Sequence, residues 1–121
     1  MKWLIVGGSD IVITSEFIEG VLLNLGFTPM DIKHITTTQQ GGVDLYVECF
    51  ADTHEIDCDT VSPDWFKHSI DAPAILAQQL SAEVDRLLVI WDGDKENGDY
   101  TSDLIDACEE EGVLVNEVLM I

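Results

Sequence analysis

Basic residues are scarce in this 121-residue sequence: five Lys and Arg stand against 24 Asp and Glu, a formal net charge of −19. A field of that sign repels nucleic acids, phosphorylated metabolites and anionic lipid headgroups, so direct nucleic-acid binding and membrane association are the first classes to go. It favours a basic protein partner, or serves solubility alone. Long hydrophobic runs are missing too. Apolar residues make up 46% of the chain, yet they fall in short blocks, none near the roughly 20 residues that a membrane span needs. The opening Met1–Gly8 carries one Lys and too short an apolar stretch for a signal peptide, so it reads as a first strand of a cytoplasmic protein. Cys49, Cys58 and Cys108 are odd in number and lack CxxC spacing, which argues against a disulfide framework or a zinc site. Cys49 and Cys108 fall on predicted helices and read as small core fillers. No linker, repeat or low-complexity segment interrupts the chain, and its length suits one domain over 1–121.

What is present is an alternation of apolar runs with helical periodicity, the pattern of βαβ units around a parallel sheet. Trp3–Val6 is a continuous apolar run ending at Gly7-Gly8, as a strand buried on both faces should be. A helix follows with Thr14 or Ser15 as cap, an inward stripe of Phe17, Ile18, Val21, Leu22 and Leu25, and Gly26 as terminator. His34–Thr37 is a second, less apolar strand. Gln39–Gly42 opens a helix that buries Val43, Val47, Phe50 and Ala51, and Ile56–Val61 alternates like an edge strand. Pro63-Asp64-Trp65 breaks the pattern. Asp71 is placed to cap a third long helix, with Pro73 in its first turn and Leu76, Leu80 and Val84 inward. Leu87–Trp91 is another buried strand, Thr101 or Ser102 caps the last helix before Gly112, and Val113–Met120 closes the sheet. The expected fold is α/β, a three-layer Rossmann-like sandwich with a five-stranded, mostly parallel sheet.

Ligands of such sheets sit at the carboxyl ends of the strands, where the winding direction reverses. Gly7-Gly8-Ser9-Asp10, Gln40-Gly41-Gly42 and Asp92–Thr101 converge there. Glycines at helix entrances free backbone N–H groups, which with the helix dipole can hold an anion. Neither diglycine matches G-x-G-x-x-G or the Walker A pattern, and a plain tight turn after a strand is the simpler reading of each.

In order along the chain, Ile5-Val6-Gly7-Gly8-Ser9, Gly41-Gly42-Val43-Asp44, Pro63-Asp64-Trp65 and Val84–Gly93, followed by Gly98 and Thr101–Ile105, resemble the SLOG superfamily, specifically its small YspA/cpYpsA-related branch. The resemblance implies a nucleotide-binding scaffold, with candidate ligand-binding residues Gly7, Gly8, Ser9, Asp10, Gly41, Gly42, Asp44, Trp65, Asp92, Gly93, Gly98 and Thr101. Trp65 is placed to stack on a ring at the pocket rim or to fill the core. The departures matter more. Asp10 stands where the branch has Arg, and an ungapped alignment sets Ile70, Leu76 and Ala77 at its Lys, Arg and Asn. Phosphate recognition generally needs Arg or Lys beside the amides. A carboxylate at that place repels an anion by roughly 1–4 kcal/mol. Against the lysine-decarboxylase-like branch, Gly98–Asp103 lacks the catalytic Glu.

No other constellation carries chemistry. Ser9, His68 and Asp92 make a coincidental rather than a catalytic set. Asp92–Asp103 departs from a calcium loop at positions six and twelve. Glu109-Glu110-Glu111 with Asp106 is a solvated helix face. No catalytic residue, metal site or cofactor is expected. Three readings compete: a non-catalytic interaction protein, phage-encoded by resemblance and acting on a basic host protein; a binder or sponge of a nucleotide-derived small molecule; and an acidic DNA mimic. Homo-oligomerisation stays open.

Overall fold

The computed structural model of the chain describes residues 2–8, 11–38, 42–62, 65–68, 71–93 and 101–120, with Trp65 and His68 as backbone only. Five strands run through it: β1 (Lys2–Gly7), β2 (His34–Thr38), β3 (Asp57–Val61), β4 (Arg86–Trp91) and β5 (Leu114–Leu119). The helices between them are α1 (Ser15–Asn24), α2 (Val43–Thr53), the short α3 (Trp65–His68), α4 (Ala72–Ser81) and α5 (Thr101–Glu110). The strands form one sheet in the order β3-β2-β1-β4-β5, and every pairing is parallel.

Helices cover both faces. One core gathers Trp3, Ile5, Ile35, Leu88 and Ile90 of the sheet under Ile18 and Leu22 of α1 and Val43, Val47 and Phe50 of α2. The other gathers Leu4, Val6, Leu87, Val89 and Trp91 under Leu76 and Leu80 of α4 and Leu104, Ile105 and Cys108 of α5. This is a three-layer Rossmann-like sandwich. Trp3, Leu4, Ile5 and Val6 are each 0% exposed, because a central strand sandwiched between helices hides both of its faces. Burial of each such side chain contributes roughly 1.5–3 kcal/mol. The chain winds outward from β1 to β3, returns through α3 and α4 to β4, and continues to β5. The winding therefore reverses between β1 and β4.

Local chemistry sets the helix ends. Thr14 is the α1 cap: its backbone is extended and its Oγ1 accepts the Phe17 N–H at 3.1 Å. Three helices close in the same way. Phe27 N–H donates to Leu22 C=O, Ile56 N–H to Ala51 C=O and Val113 N–H to Cys108 C=O, each turning through a residue of positive φ. That residue is Gly26 after α1 and Gly112 after α5, but Glu55 after α2.

Several expectations need correction. Asp71 makes no side-chain capping bond at α4, since its own backbone is already helical (φ −84°, ψ −5°) and a cap needs an extended one. Thr101 and Ser102 are both helical residues of α5 rather than its cap. Cys49 is exposed rather than a core filler; it lies about 200° around α2 from the buried Val47. A 3₁₀ turn at Pro29–Asp31, closed by a Thr28–Asp31 capping box, and the short α3 were not anticipated.

Candidate functional site

The crevice between the carboxyl ends of β1 and β4 is where this topology places a ligand. Register pairing sets Gly7 opposite Ile90, so Gly8 stands beside the end of β4, from which Asp92 and Gly93 continue. Gly7 is a glycine for a steric reason: a Cβ there would lie 2.0 Å from the Ile90 carbonyl oxygen and 2.7 Å from Val43 Cβ. Only a bare backbone lets β1, β4 and the start of α2 meet this closely.

Three of the described amides at this end of the sheet are committed to the protein itself. Gly7 N–H donates to Asp44 Oδ1 at 3.0 Å, Gly8 N–H to Ile90 C=O at 3.1 Å, and Val43 N–H at the mouth of α2 to Gly8 C=O at 3.2 Å. Asp44 stands in the first turn of α2, is 1% exposed, and takes the Thr38 hydroxyl on its other oxygen. A carboxyl group at a helix N-terminus complements the dipole just as a bound anion does. Asp44 thus sets a buried carboxyl group in the first turn of α2, bonded to the ends of β1 and β2. Gly42, with φ 54° and ψ −121°, makes the sharp entry that allows this.

Among the sequence-predicted residues, the structure brings Gly7, Gly8, Gly42 and Asp44 together at one end of the sheet. Asp92 and Gly93 stand close by, both exposed, Gly93 at φ 83°. Thr101 opens α5 and is fully buried. Trp65 begins α3; its side chain, like Ser9, Asp10, Gly41, Gly98 and most of the Asp92–Asp103 loop, lies outside the described residues. Leu76 and Ala77, aligned with cationic and amide positions, face the α4 core instead. Packing accounts for their apolar character.

The basic residues are placed away from this crevice where they are described at strand ends. Lys2 and Arg86 begin β1 and β4, and Lys33 precedes β2. Arg86 lies 5.0 Å from the Trp3 ring and 4.7 Å from the Phe27 ring, and donates to Asn116 Oδ1 of β5 at 2.8 Å. It is a structural cation, stacked and tethered. Lys67 is on α3, and Lys95 lies outside the described residues.

A feature that sequence reasoning missed lies along the β5 edge. A cleft of about 310 Å³ opens between α5 and β5, walled by Ser102, Asp106 and Glu109 of the helix and Glu117 of the strand. Trp91, Ile105 and Leu119 form its apolar floor, and Trp91 Nε1–H donates to Glu117 Oε2 at 3.2 Å. Ser102, Asp106 and Glu109, the first of the triple Glu, share one helical stripe at i, i+4 and i+7, but the facing wall comes from Glu117 of a separate element. A second cleft, about 290 Å³, lies at the other edge between α2 and β3, with Glu48, Asp52 and Thr60. There Thr60 Oγ1 donates to Glu48 at 2.6 Å. Two further carboxylates have histidine partners, His34–Asp59 at 2.9 Å and His54–Glu19 at 3.7 Å. Among the described residues no group of His, Cys, Asp and Glu is arranged to hold a metal, and no helix is long and apolar enough to cross a membrane.

No family model and no curated protein matches the chain.

Proposed function

We propose that this protein is a non-catalytic binding protein that meets a basic protein partner through its acidic surface, on a SLOG-like scaffold whose anion site has been closed from within. The observation that carries the reading is the commitment of the Gly7, Gly8 and Val43 amides to Asp44, Ile90 and Gly8. A phosphate arriving there finds these three donors already bonded within the chain, in a molecule of net charge −19. The same charge draws in a cationic partner and raises its association rate at low salt. Clefts with carboxylate walls flank both edges of the sheet, which gives the attraction defined places to act.

The test is thermal denaturation of the full chain with millimolar adenine and guanine nucleotides, NAD and ADP-ribose. An unchanged midpoint is expected. A rise of several degrees with any of them, a ligand bound far below its millimolar concentration, overturns the proposal in favour of a nucleotide-derivative binder.

A further inference from the structure

We propose that the outer edge of β5 takes an extended, Lys- or Arg-bearing segment of the partner as an added strand, with a basic side chain seated in the α5–β5 cleft. The inference rests on the binding-protein reading and gives it an address. β5 pairs with β4 alone among the described strands, so its other side offers backbone donors and acceptors to a new strand. Natural edges are blunted by charge, Lys or Pro. The opposite edge strand β3 follows that rule with exposed Asp57 and Asp59. β5 is blunted less: Leu114 and Leu119 stand 56% and 52% exposed at its two ends, and Glu117 is its one charged residue.

The cleft beside it chooses the occupant. Its apolar floor of Trp91, Ile105 and Leu119 fits an aliphatic stem, and Asp106, Glu109 and Glu117 ring the place for a cationic head. No Lys or Arg stands among these lining residues. A second copy of the chain makes a poorer occupant, because it brings another −19 of charge and its own Glu117 to the same edge.

The experiment is backbone hydrogen exchange on the full-length protein with a capped ten-residue peptide of alternating Lys and Thr, and with its Glu-for-Lys counterpart. New protection over Leu114–Leu119 with the Lys peptide alone is expected. The double substitution Asp106→Asn and Glu109→Gln, on an exposed helix stripe, should weaken binding about tenfold. Protection at β3 instead, or affinity unmoved by that double variant, overturns the inference and leaves the binding-protein reading standing. Concentration-dependent protection of β5 without peptide overturns it in favour of self-pairing. Absence of any binding to the Lys peptide overturns both.

Discussion

The Asp44 carboxyl accepts the Gly7 backbone N–H at 3.0 Å across 37 positions of sequence, joining the mouth of α2 to the end of the central strand. Thr38, at the end of β2, donates its hydroxyl to the other oxygen. One side chain thereby ties together three of the segments that shape the crevice. Asp44→Ala leaves two buried donors without this acceptor, a loss of about 2–4 kcal/mol. Asp44→Asn keeps an oxygen for Gly7 and should cost less. Urea denaturation checks both, and equal midpoints for wild type and Asp44→Ala would rule out the tie.

Two glycines should respond to alanine with opposite signs. At Gly7 the new methyl meets the Ile90 carbonyl at 2.0 Å and the Val43 side chain at 2.7 Å, so Gly7→Ala should cost about 3 kcal/mol. Gly20 lies inside α1, where an added Cβ would have nothing within 4 Å, so Gly20→Ala should gain about 0.5–1 kcal/mol from helix propensity alone. Thermal midpoints moving in the same direction would contradict this reading of β1.

Periodicity and punctuation made most of the fold legible. Trp3–Val6 and Leu87–Trp91 announce central strands because both of their faces are covered, and Gly26 and Gly112 mark helix ends because their turns need positive φ, a signal that the equivalent turn at Glu55 lacks. The edge strand at Asp57–Val61 is legible from its alternating Asp residues. The site was less so. Sequence placed Gly7, Gly8, Gly42 and Asp44 at one end of the sheet, but not the direction of their hydrogen bonds. Whether an amide faces a ligand or Asp44 depends on a contact between distant segments. Leu76 and Ala77 show the same limit, since a motif alignment assigned to a pocket what the α4 stripe assigns to the core. The β5 cleft was hidden for a related reason: its walls come from two elements, and neither alone departs from an ordinary acidic surface.

Glu55 occupies the turn after α2 that glycine fills after α1 and α5. Its φ is 56°, a left-handed conformation that a side chain resists. Glu55→Gly removes that resistance while keeping the Ile56 N–H to Ala51 C=O bond of 2.8 Å. The freer unfolded chain offsets part of the gain. A net stabilisation of about 0.5–1 kcal/mol is expected from chemical denaturation. A destabilised variant would mean that Glu55 contributes through its side chain more than its backbone costs.

The thiols give a pH dependence whose sign follows from burial. Removal from water pushes Cys58 up to about 11 from an ordinary 9.0, helped by the nearby charges of Glu48 and Asp59, and burial alone does the same for Cys108. The folded protein therefore keeps these protons in a range where the unfolded chain releases them. The contribution to stability is whole below pH 9.0 and is lost as pH rises towards about 11. Cys49, exposed on α2, should react with a thiol reagent at pH 8 well before the other two, because reaction needs an accessible thiolate. Replacing Cys58 and Cys108 together by Ala should flatten the fall in stability between pH 9.0 and about 11, whatever it does to stability at neutral pH. An unchanged slope would show that other groups set the alkaline limit, and three equally fast thiols would show that the burial of Cys108 on the inner face of α5 is not maintained in solution.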